Sequence, residues 1–75
     1  PSMASLPRIS GAQAIKAFRR LGWEVARQRG SHVTLVKRGS RLIITVPAHP
    51  ELDRGTLRRL IRDAGVSVDE FLEQL

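Results

Sequence analysis

Seventy-five residues carry thirteen Lys and Arg against seven Asp and Glu, a formal net charge of +6, with no cysteine and only three aromatic side chains. A chain this short buries only about 60% of its unfolded surface, has no disulfide or thiolate site to help it, and shows no apolar run near the ~20 residues of a membrane span. Pro1 and Ser2, ahead of Met3, read as a cloning remnant, no signal peptide is visible, and residues 3–75 are expected to form a single domain in the cytoplasm.

Ser10 can cap a first helix. Ile15, Phe18 and Leu21 share one of its faces, while Gln13, Lys16, Arg19 and Arg20 lie elsewhere. Gly22 ends it. Trp23–Gln28, His32–Lys37 and Arg41–Val46 then read as strands. Arg-Gly-Ser occurs twice between them, at Arg29-Gly30-Ser31 and Arg38-Gly39-Ser40, where glycine supplies the positive φ of a tight hairpin. The three strands form a meander.

Pro47 and Pro50 bracket a loop, "PAHP", and end the third strand. Asp53 caps a second helix, on which Leu57, Leu60, Ile61 and Ala64 follow the i, i+3, i+4, i+7 rule. Gly65 stops it. Ser67 and Glu70 make a capping box for a short last helix over Phe71, Leu72 and Leu75. The order α-β-β-β-α, with a small C-terminal helix, predicts an α+β sandwich: a three-stranded antiparallel sheet with helices on one face.

Alternation along the strands places Val33, Leu35, Leu42, Ile44 and Val46 under the helices, with His32, Thr34, Arg41 and Thr45 facing out. Val36 and Ile43 are left partly exposed, which suits a protein partner.

The charge is concentrated. Asp69, Glu70 and Glu73 lie in the last seven residues, so residues 1–68 hold thirteen cations against four acids, and eleven of the thirteen are Arg. The planar Arg fork suits phosphate, and the expected partner is a polyanion, most simply nucleic acid. Arg-rich solvated surface is the plainer alternative. Three aromatics are few for a base-stacking platform.

The chemistry has few candidates. Two histidines seventeen residues apart, with no cysteine and no acid cluster, match no common metal spacing. No glycine pattern for a nucleotide cofactor is present, and no cofactor is expected. Paired carboxylates are missing from the basic part of the chain. His32 and arginine remain. RNA brings its own nucleophile, the 2′-OH. An enzyme must move protons near neutral pH, which histidine does, and stabilise the charged phosphoryl oxygens, which Arg does. Neighbouring cations favour the neutral imidazole that a base needs. Arg27, Arg29 and Arg41 are expected near His32. Arg54, Arg58 and Arg62, four apart, form a basic rail on the second helix, explained in part by solvation or an Arg59–Asp63 pair. His32 as a polar strand-start residue, and His49 as a loop residue bonded to backbone, stay open alternatives.

Two segments carry a family resemblance. "GWEVARQRGSHVTL", around Gly30-Ser31-His32, and "VPAHPELDRGTLRRLIRDAGVSVDEFL", with Pro47, His49, Glu51, Leu52, Gly55-Thr56-Leu57-Arg58 and Gly65, resemble the HicA toxins, small RNases of bacterial and archaeal toxin–antitoxin pairs. The resemblance spans residues 9–73. It implies a fold like a double-stranded-RNA-binding domain and metal-independent endoribonuclease cleavage of mRNA with His32 as catalyst. It also implies a HicB-type antitoxin that covers the site. The family often has a second histidine or polar residue where this chain has Val33, so a two-histidine hairpin is not available. The resemblance leaves Ser31 and His49 as accessory candidates, His49 in a structural or substrate-side role. Two other readings remain: a non-catalytic RNA-binding module of the same fold, and a protein-interaction module using Val36 and Ile43.

Overall fold

The computed structural model describes residues 6–75, so Pro1 and Ser2 lie outside the described residues. The order is α1 (Gly11–Arg20), β1 (Trp23–Arg29), β2 (His32–Lys37), β3 (Ile43–Pro47), α2 (Arg54–Asp63) and α3 (Val68–Leu72). The strands form one antiparallel sheet in the order β1-β2-β3. This is the expected α+β arrangement, with the element order of a double-stranded-RNA-binding domain.

Each helix starts where its cap puts it. The Ser10 hydroxyl accepts from the Gln13 amide, and the Gln13 side chain accepts in return from the Ser10 amide. Ser67 and Glu70 repeat that exchange at α3. The Asp53 carboxylate accepts from both the amide and the hydroxyl of Thr56 at α2. Each cap satisfies amides that the first helical turn leaves without a partner.

The apolar faces converge on one cluster. Ala14, Ala17 and Phe18 of α1 and Leu57, Leu60 and Ile61 of α2 pack on Val33, Leu35, Ile44 and Val46 of the sheet, joined by Trp23, Leu52, Ala64 and Phe71. Val33 lies opposite Val46 and Leu35 opposite Ile44. All four face the helices, and the other face of the sheet is open. The three aromatics are all spent inside. Phe18 meets Trp23 edge-on at 6.5 Å and Phe71 at 5.0 Å between centroids. None is available to stack on a base.

The third strand departs from expectation. It begins at Ile43, so Arg41 and Leu42 lie in the preceding loop, and Leu42 is 48% exposed rather than under the helices. The cause is local. Ser40 donates its amide to the Lys37 carbonyl, Gly39 takes φ +79°, and the Ser40 hydroxyl accepts from the Leu42 amide. These bonds hold two further residues out of the ladder. Leu75, expected with the apolar face of the last helix, is also half-exposed, because α3 stops at Leu72.

The first strand carries an irregularity that matters more. Its register against β2 shifts by one residue between Val25 and Arg27, with Ala26 as the extra residue. A β-strand alternates its side chains between faces, and one inserted residue reverses that alternation. Trp23 can therefore enter the core while Arg27 and Arg29 emerge on the open face. Val25 keeps the helix side, opposite Leu35, but lies on the edge strand and is 47% exposed.

Candidate nucleic-acid cleavage site

His32 is exposed and opens β2. The turn before it is short: Arg29 and His32 are cross-strand partners flanking Gly30 and Ser31. Gly30 has φ +54°, and among the described residues no non-glycine residue has positive φ. A glycine first and a negative φ second is the sign pattern of a type II′ turn, whose twist matches that of the flanking strands. The Gln28 side-chain amide donates to the Gly30 carbonyl at 3.0 Å and braces the turn from outside.

The open face of the sheet can be read row by row. Arg29, His32 and Pro47 form one row; Arg27, Thr34 and Thr45 the next; Glu24, Val36 and Ile43 the third. Direct partners lie about 4.5–5.5 Å apart at Cα. Arg27 and Arg29 thus share the face of His32, as expected. Arg41 does not come near it. It follows Ser40 in the loop at the far end of β2, past the Val36–Ile43 pair, and four residue steps separate that pair from His32, about 13 Å at ~3.3 Å per step. The expected trio is a duo.

The basic rail is also modified. Arg58 and Arg62 are exposed on α2, on the helix layer and not on the open face of the sheet. Arg54 is partly committed: its Nε–H donates to the Leu6 carbonyl at 2.9 Å. Asp63 pairs with Arg62 at 3.7 Å rather than with Arg59. The Asp53 carboxyl is held below its ordinary value first by the Thr56 amide and hydroxyl bonds, then with help from Gly55 and Arg59.

The loop after β3 brings a further residue to the hairpin. Pro47 pairs with His32, and the Ala48 amide donates to the Ser31 carbonyl at 2.6 Å. The His49 carbonyl then accepts from the Gly11 amide at 2.8 Å, and the Leu52 amide donates to Ile9. An ion pair between Arg8 and Glu51, 3.1 Å, closes the same end. His49 is exposed there. Its backbone carbonyl is held, but its ring does not bond backbone among the described residues, the alternative raised for this loop residue. Among the described residues neither imidazole has a hydrogen-bond partner.

Gly11 and Gln28 are the residues that sequence reasoning passed over. A Cβ on Gly11 would overlap the Pro47 carbonyl oxygen and come 2.8 Å from the Ala48 Cα. The signal was present: a glycine directly after a strong N-cap, where helix propensity asks for anything else. Gln28 gave no such sign.

A groove of about 210 Å³ lies between α1 and the C-terminal residues, lined by Ile9, Gln13, Lys16, Arg20, Gln74 and Leu75. It holds no histidine; His32 and His49 are instead exposed, on surface that a polymer can reach. Among the described residues no helix is long and apolar enough to cross a membrane.

No curated protein matches the chain closely enough to be counted as a relative. A family described as the HicA toxin of bacterial toxin–antitoxin systems matches residues 11–66, a span that holds the hairpin, the "PAHP" loop and α2. The match covers most of the chain: this protein belongs to the HicA toxin family and so is the toxin side of a pair with an antitoxin partner.

Proposed function

We propose that the toxin acts as a metal-independent endoribonuclease on mRNA in the cytoplasm, with His32 as its catalytic residue. The observation that carries this reading is the cross-strand pairing of Arg29 with His32, with Arg27 one row away on the same open face. His32 takes the proton from a ribose 2′-OH. That oxygen attacks the adjacent phosphorus, and the bond from phosphorus to the 5′-oxygen breaks. The products are a 2′,3′-cyclic phosphate and a 5′-hydroxyl. Arg27 and Arg29 hold the phosphate and stabilise charge on its non-bridging oxygens. Arg58 and Arg62, with Arg54 in a lesser part, attract RNA at longer range. Ser31 shapes the turn through its carbonyl bond to Ala48.

A HicB-type antitoxin would cover the open face. Ile43, 63% exposed, sits opposite half-buried Val36; Glu24 completes their row and Arg27 lies in the next. An acidic surface with an apolar centre fits this arrangement.

Purified chain, end-labelled RNA and EDTA test the reading. Cyclic-phosphate ends formed by the parent and not by His32→Ala support it. Binding without cleavage favours a non-catalytic RNA-binding module of the same fold.

A further inference from the structure

Building on the RNA-cleavage reading, we propose that His49 is the second proton carrier of the reaction. It donates to the 5′-oxygen leaving group while His32 accepts from the 2′-hydroxyl.

The cleavage step moves two protons at opposite sides of one phosphorus. One leaves the attacking 2′-oxygen. The other must reach the departing 5′-oxygen, which is a poor leaving group as an alkoxide. A single imidazole on one side does not serve both atoms in the same step. The chain has only two histidines, seventeen positions apart, and the fold brings both to one end. Pro47 is the direct partner of His32. Two further residues span at most about 7 Å, so the His32 and His49 Cα atoms lie within about 13 Å of each other. Two histidine side chains reaching inward from that separation leave room for a phosphodiester between them.

The backbone is built to hold this relation. Ala48 continues the β2–β3 pairing one step past His32 by donating to the Ser31 carbonyl. Pro50 restricts the residue before it to extended backbone, and alternation along an extended stretch returns position 49 to the side of Pro47 and His32. The Gly11 amide fixes the His49 carbonyl, and the absence of a Cβ at Gly11 lets α1 seat against Pro47 and Ala48. The ring itself is exposed and, among the described residues, bonded to nothing. Glu51, the acid two residues on, does not compete, because it is paired with Arg8.

Leaving-group substitution is the test. Once the cut phosphodiester of an RNA is mapped, the same RNA is made with sulfur in place of the 5′-bridging oxygen. A thiolate departs without a proton. The full chain is assayed as parent, His32→Ala, His49→Ala and His49→Gln, with thermal melts confirming the fold. Both His49 variants should lose about 10²–10⁴-fold on ordinary RNA and recover to within about tenfold of the parent on the sulfur RNA, while His32→Ala stays inactive on both. Equal loss by the His49 variants on both RNAs would overturn the assignment, because a positioning role does not sense the leaving group. Parental cleavage by the His49 variants, or sulfur rescue of His32→Ala instead, would overturn it too. These outcomes leave the RNase reading standing. A parent that cuts neither RNA removes that reading, and this assignment with it.

Discussion

The Gly11 amide donates to the His49 carbonyl, which ties the first turn of α1 to the loop that follows the strand opposite His32. Two segments almost forty residues apart in sequence are thereby joined at the candidate site. The bond depends on close approach, and close approach depends on glycine.

Gly11→Ala should therefore be damaging. Its methyl group meets backbone atoms of Pro47 and Ala48, which have no rotamer to yield. We expect a loss of about 1–3 kcal/mol in urea unfolding, the range for overpacking. Gly55→Ala is the contrast. It sits in α2 with its nearest neighbour, an Asp53 oxygen, at 3.4 Å. It should be neutral or stabilising by up to about 1 kcal/mol. Equal effects from the two changes would mean that the α1 contact is not tight.

Acid should weaken the caps. The Asp53 carboxyl is lowered chiefly by the Thr56 amide bond and then its hydroxyl bond, and Glu70 chiefly by the Ser67 amide bond and then its hydroxyl bond. A folded value below the unfolded one gives stability that is fully present above the ordinary carboxylate range and is lost as pH falls through the folded value. The urea midpoint should hold near neutrality and decline below about pH 4. Asp53→Asn with Glu70→Gln should flatten that decline. An unchanged decline would place the acid sensitivity in other carboxylates.

Much of this was legible in the sequence. The three caps, the α2 periodicity and the Gly30 turn are local signals, and local signals survive without tertiary context. The misses were non-local or cumulative. Alternation along the strand points Leu42 inward, but it does not hold through a loop whose bonds come from Ser40 and Gly39. The same misplaced alternation draws Arg41 toward His32. The extra residue at Ala26 left no mark in the strand, yet it decides which face Arg27 and Arg29 occupy. The approach of His49 to the hairpin could not be read from a seventeen-residue gap, because it arises from β3 pairing and the space left by Gly11.

The arginines should separate into two kinds. Arg54→Ala removes the donor to the Leu6 carbonyl and should cost about 1–2 kcal/mol of stability. Arg58→Ala with Arg62→Ala should leave stability nearly unchanged but flatten the salt dependence of RNA affinity, whose log–log slope is about 0.7 per phosphate on single strands. A loss of one or two contacts is expected. An unchanged slope would move the phosphate track away from α2.

The antitoxin contact has its own test. Ile43→Asp puts a charge on the exposed edge strand of the open face without touching the core. Affinity for the antitoxin should fall by about tenfold or more, with RNA cleavage by the free toxin retained. Undiminished affinity would place the antitoxin elsewhere.

His32→Ala tests the central claim most directly. The side chain is exposed at the start of β2, so its removal should change stability by less than about 0.5 kcal/mol. Arg27 and Arg29 remain, so RNA binding should persist. Cleavage of labelled RNA in EDTA is the measurement. The account predicts a fall of about 10²-fold or more in rate, with a parental melting curve and retained binding. Cleavage at the parental rate by a folded His32→Ala protein would contradict it.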